Sequence, residues 1–152
     1  MLSVLAIAVV LVAMTVAVHA YGLSFLLPML ARARAAPPTG HWPITSLLVR
    51  IALFLVAIHV IEITIWALFY WWEGCLTGAE SAFYFSGVTY TTLGYGDVVL
   101  IKPWRMLGPI EALTGMLMGA LSAGVFFATV SRIYAGQLGE GETRRQGDKG
   151  KG

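Results

Sequence analysis

At 152 residues, with 58% hydrophobic residues, 12% charged residues and a formal net charge of +2, the chain lacks the polar surface that a soluble domain of this size requires. The proportions exclude a water-surrounded globule and point to a chain immersed in lipid, with no nucleic-acid partner expected.

Taken in order, three apolar runs are long enough to cross a bilayer core, which takes ~20 residues of helix: Leu2 to Leu27, Leu47 to Trp72 and Met106 to Ile133. The first contains "VHA" ending at Ala20, which loosely fits a signal-peptide cleavage site. No basic residue precedes its apolar core, however, and the run continues to Leu30 before meeting Arg32 and Arg34, so residues 1–30 are expected to remain as a span. Residues 31–46, with "ARARAAPPTGHWP", read as a short linker. The second span ends in Trp66, Phe69, Tyr70, Trp71 and Trp72, expected as an aromatic belt at the interface.

Next comes "TGAESAFYFSGVTYTT", too short to span. Thr77 and Glu80 have the spacing of a capping box, so a helix of ~13 residues, ~20 Å long at 1.5 Å per residue, is expected to start there. It descends partway before "TLGYGD" returns. Irregular backbone at that depth is tolerated only where protein buries it or where it lines an aqueous path. The third span carries Gly115 and Gly119, a small-residue pair that suits close helix packing or a bending point. Residues 136–152, Gly-rich and charged, read as a disordered tail.

Basic residues collect on the cytoplasmic side. Arg32, Arg34 and Arg50 flank the first connection and Arg132, Arg144, Arg145, Lys149 and Lys151 follow the last span, whereas Lys102 and Arg105 are accompanied by Glu73, Glu80 and Asp97. The N-terminus is therefore expected outside and the C-terminus in the cytoplasm. Cys75, the only cysteine, cannot form a disulfide within one chain; it reads as a free interfacial thiol, with a bridge between subunits as the alternative.

The run "TTLGYGD", behind a helix reading "FYFSGVTY" and between two spans, resembles the pore module of tetrameric potassium channels over about Ser46 to Ala135. The resemblance implies an all-α membrane protein: three transmembrane helices per subunit, a re-entrant pore helix and a selectivity-filter strand, assembled as a homotetramer, with residues 47–135 as the pore module. A dehydrated potassium ion is held by rings of backbone carbonyls. For those carbonyls to point one way, successive residues must alternate between ordinary and left-handed backbone, which glycine reaches without penalty; Gly94 and Gly96 fit that need. By resemblance the carbonyls of Thr92, Leu93, Gly94 and Tyr95 form the ion sites, Tyr95 packs on re-entrant-helix aromatics such as Phe85, and Asp97 anchors the outer mouth. Leu93 stands where valine is usual, and no proline closely follows Asp97.

Three ionisable groups lie within the spans: His59 and Glu62, three residues apart, and Glu111. Such groups are functional candidates by default. Glu111 reads as a brace behind the filter. His59 and Glu62 read as a structural pair, with proton sensing as the alternative, and His19 and His41 carry no signal. No span has arginines at every third position, as a voltage sensor would. The expected function is passive, potassium-selective conduction, with potassium as the permeant ion, the homotetramer and membrane lipid as partners, and no enzymatic activity. The alternatives are a non-selective cation channel on the same scaffold, and a proton-coupled transporter or intramembrane enzyme using His59, Glu62 and Glu111. The first span, without charge before Arg32, is expected to lie peripherally against lipid.

Overall fold

A computed structural model describes the backbone of residues 2–35 and 40–149 and the side chains of residues 2–28, 30, 31 and 40–135. The chain forms α1 (Leu2–Ala35), α2 (His41–Trp72), α3 (Ala79–Tyr90), a short 3-10 turn (Trp104–Met106) and α4 (Leu107–Lys149). Three helices are long and apolar enough to cross a membrane, over Leu2–Pro28, His41–Trp72 and Trp104–Ala135. The α2 helix begins at His41, within the stretch read as linker; Pro43 falls in its first turn, where a missing N–H costs nothing. The backbone of α4 is helical to Lys149, beyond the point where an irregular tail was expected. Linker residues 36–39 and residues 150–152 lie outside the described residues.

The core follows from one stripe on α2. Ile51, Leu55, Ile58, Glu62, Trp66 and Tyr70 recur every three or four positions and are all buried, which is the spacing of a single helical face. Against this stripe α1 runs antiparallel. Thr15 accepts the indole N–H of Trp66 at 3.0 Å, His19 meets Glu62, Gly22 lies so close to Ile58 that an added Cβ would sit 2.5 Å from its Cδ1, and Leu26 packs with Ile51, Leu55 and Ile58. Two expectations are corrected here. The first span is a structural partner of α2 and α4, with Val4, Ala8 and Leu11 inside the main core, and is not merely a lipid-facing appendage. The aromatic belt divides: Trp66 and Tyr70 are wholly buried, whereas Trp71 and Trp72 are exposed. The reason is helical phase, since Trp66 and Tyr70 continue the stripe of Glu62.

The α3 helix enters beside the end of α2 and stops at its middle. Midway along α3, Phe85 packs edge-on against Tyr70, with ring centroids 5.3 Å apart. One residue later the Ser86 Oγ lies 2.9 Å from the Ile63 carbonyl oxygen. At its end Tyr90 reaches Glu62 and His59. The chain then returns to the level at which it entered, where Trp104 stacks edge-on with Phe69 at 5.5 Å. A helix of 12 residues is ~18 Å long, about half of a bilayer, so α3 is re-entrant. Its start differs from the expected capping box: Gly78 at φ 91° is the N-cap and no side chain caps the helix. The left-handed glycine turns the chain one residue later than Thr77, and Glu80 remains in the first turn, where a negative charge favours the helix dipole.

Candidate ion-conduction site

From Thr91 onward the chain has no regular secondary structure until the turn at Trp104, and no strand occurs among the described residues. In place of the expected filter strand there is a single irregular segment with no ladder partner in its own chain. It hangs from the last turn of α3. The amide of Thr92 donates to the Thr89 carbonyl at 2.9 Å, and the amides of Leu93 and Gly94 donate to the Val88 carbonyl at 3.0 and 3.2 Å. Among the described residues no hydrogen bond is made to the carbonyls of Thr92, Leu93, Gly94 or Tyr95.

The backbone of this segment is left-handed at every second residue, with φ 62° at Thr92, 55° at Gly94 and 78° at Gly96. Ordinary extended backbone alternates its carbonyls between two sides. A left-handed residue at every second position removes that alternation. The sequence identified the two glycines. It gave no sign of Thr92, the only residue other than glycine with positive φ among those described, since a threonine there pays the steric penalty that glycine avoids.

Around the segment the support is partly as expected and partly displaced. Asp97 accepts the Tyr84 hydroxyl at 2.7 Å through Oδ2 and the Val98 amide at 3.0 Å through Oδ1. The Tyr84 hydrogen bond, foremost, holds the Asp97 carboxyl below the usual carboxylate range. Tyr84 went unnoticed in the sequence because it is one of several aromatics on a short helix. Phe85 is buried against Tyr70 and beneath Gly108, while Tyr95 is 68% exposed; within one chain, therefore, Phe85 supports α3 and Tyr95 has open surface to offer a neighbour. Leu93 is also exposed. Cys75 is buried in the core, and that burial pushes its thiol up, as befits a packed residue.

Two polar centres lie behind α3. In the first, Glu111 is fully buried and accepts the Tyr70 hydroxyl at 2.8 Å and the Ser86 hydroxyl at 2.5 Å, which ties α4 to α2 and α3. In the second, Glu62 is fully buried. His19 Nδ1 lies 2.9 Å from its Oε1 and His59 Nδ1 lies 3.0 Å from its Oε2, the oxygen to which the Tyr90 hydroxyl also donates. His59 Nε2 is 3.0 Å from the Ser122 hydroxyl on α4. His59 and Glu62 are thus paired as expected, and His19, which carried no signal in the sequence, completes the centre from another helix. Gly115 lets α4 approach Tyr90, where an added Cβ would lie 2.1 Å from the Tyr90 carbonyl oxygen. Nothing lies within 4 Å of the corresponding position at Gly119.

Comparison with known proteins agrees with this geometry. Curated relatives include the potassium voltage-gated channel protein Shal of Drosophila melanogaster, 41% identical over 59 residues, or 38% of this chain and 10% of that protein. They also include the A-type voltage-gated potassium channel KCND3 of Rattus norvegicus and of Homo sapiens, each 41% identical over 59 residues, or 38% of this chain and 9% of the relative. The chain therefore spans about a tenth of the length of the curated relatives it matches. No solved structure matches it. Residues 53–132, more than half of the chain, match the family described as "Ion channel" and take in α3, the irregular segment and most of α2 and α4. The chain belongs to the ion channel family, as a multi-pass membrane protein and not an enzyme.

Proposed function

We propose that this ion channel is potassium-selective, that four copies of the chain surround one pore, and that conduction is passive. The observation that carries the reading is the alternation of left-handed backbone at Thr92, Gly94 and Gly96 within "TTLGYGD", beside carbonyls at Thr92 to Tyr95 that accept no hydrogen bond among the described residues. One chain supplies one column of oxygens. A potassium ion needs a ring of them to replace its water shell, and a fourfold ring uses four columns. The exposed Tyr95 and Leu93 fit this, since both would find partners only in a neighbouring subunit. The relatives named as potassium channels support the choice of ion.

In this reading Thr92, Leu93, Gly94 and Tyr95 hold the ion through main-chain oxygens, Asp97 anchors the outer end through Tyr84, and Glu111 braces α3 from behind. Gly115 sets the approach of the inner helix to Tyr90, and Gly119 leaves room for that helix to bend. The basic residues of the first connection and the end of the chain place both on the cytoplasmic side, with the N-terminus outside. The test is a structure of the assembled protein in potassium and then in sodium. Four chains with potassium density on the axis between Thr92 and Tyr95, altered in sodium, are expected. An assembly of another order, or a wide axis without ordered ions, would overturn the reading.

A further inference from the structure

Hydrogen bonds within the chain leave the buried centre around Glu62 incomplete. His19 Nε2 is the buried side-chain nitrogen or oxygen without a partner among the described residues, on a residue 1% exposed. The centre sets two imidazoles and a carboxylate together at membrane depth, where ionisable groups are costly unless they are paired. The same three residues offer ligand atoms that all lie within 4.8 Å of one another.

Two imidazoles and a carboxylate are a donor set that suits zinc and its neighbours among the divalent transition metals. The elements bring it together without strain: His59 and Glu62 are one turn apart on α2, and the antiparallel register of α1 sets His19 opposite them. An orienting partner is in place too: Ser122 stands at the far nitrogen of His59, as the outer partners of metal ligands commonly do, while the Tyr90 hydroxyl holds a Glu62 oxygen in the metal-free centre. His59 has a side chain 21% exposed, against 2% for His19 and none for Glu62, and is the side from which an ion enters.

We propose that His19, His59 and Glu62 form a binding site for a divalent transition metal of the zinc class, joining α1 to α2 inside the membrane. A metal bound there competes with Tyr90 for Glu62. Tyr90 is the last residue of α3 and leads directly into Thr91 and Thr92, so occupation of the site acts on the conducting segment; this consequence alone rests on the function proposed above.

The test uses the full-length protein, purified, stripped with chelator and titrated with zinc chloride by calorimetry, with bound metal counted by elemental analysis. One zinc ion per chain is expected, with binding at least ~10-fold weaker in His19→Gln and in His59→Gln and unchanged in His41→Gln, whose residue is exposed and remote. Because either histidine variant risks misassembly, cobalt is added to the wild-type protein as a second measurement: intense visible bands of low-coordinate cobalt support the site, and the weak spectrum of the hydrated ion contradicts it. Potassium flux from liposomes, read separately, should fall on adding zinc and recover with chelator. Saturable binding without any effect on flux would uphold the site and remove its link to Tyr90. Absence of saturable zinc binding, or equal binding by wild type and both histidine variants, would overturn the site itself.

Discussion

The segment from Thr91 to Asp97 and the two polar centres behind α3 are both irregular polar features at membrane depth, yet they are held in opposite ways. Glu62 and Glu111 are fully buried, and each finds its hydrogen-bond partners within the same chain. The proposed conducting segment draws on its own subunit through the amides of Thr92, Leu93 and Gly94, which donate to the last turn of α3, and through Tyr84 and Asp97. The side chains of Leu93 and Tyr95 are 60% and 68% exposed, and in the proposed assembly they are left for other copies. On the function proposed above, the scaffold is completed within a subunit and the pore by assembly, and substitutions in the two regions should fail differently.

The largest effect is expected at Gly94. Its φ of 55° costs a residue with a Cβ roughly 1–2 kcal/mol, incurred once per subunit around the ring. Gly94→Ala should abolish potassium flux from liposomes while leaving helix content and subunit assembly intact, as circular dichroism and native mass determination would show. Normal flux from this variant would erase the distinction between the regions.

On the scaffold side the reverse is expected. Tyr70→Phe removes a donor from the buried Glu111, and an unsatisfied buried acceptor costs about 1–3 kcal/mol. Thermal unfolding in detergent should shift downward, with selectivity in the surviving assemblies unchanged. A smaller loss, about 1 kcal/mol, is expected from Thr15→Val, which takes the acceptor from the Trp66 indole. This second variant tests whether α1 belongs to the subunit core; an unchanged melting curve would return α1 to the periphery.

How much of this was legible in the sequence follows the same division. The conducting segment is written in one contiguous run, and the need for glycine at alternate positions follows from backbone sterics alone, so Gly94 and Gly96 could be assigned their conformation in advance. The spans were legible because apolar length is a local property. The polar centres were legible only in halves. His59 and Glu62 sit one turn apart, and that spacing suggested a pair. His19 lies 43 positions from Glu62, and only the antiparallel packing of α1 on α2 brings them together. Trp66 and Tyr70 were misplaced for the same reason, because composition marked them as interfacial while helical phase put them on the buried stripe of Glu62. The capping box failed for a more local cause: Gly78, between Thr77 and Ala79, took the turn.

The smallest expected effect concerns the boundary between the two regions. Asp97 is held below the ordinary carboxylate range chiefly by the Tyr84 hydroxyl, so its anchoring is present above the ordinary value and is lost only as pH falls through the lowered one. Tyr84→Phe removes that hydrogen bond and brings the loss to a higher pH. The acid midpoint for loss of outward-side conductance should therefore move up, toward that of an unperturbed aspartate, with little change at neutral pH. An unchanged midpoint would mean that Asp97 is fixed by neighbouring subunits and not by its own.

The central claim is that four copies of the Thr92 to Tyr95 segment make a potassium-selective path, and bi-ionic recording tests it most directly. Purified protein in a planar bilayer, with potassium on one side and an equal concentration of sodium on the other, should give a reversal potential displaced far toward the potassium equilibrium value. A reversal potential at zero, with cation current present, would show that potassium and sodium pass equally well and would contradict the account.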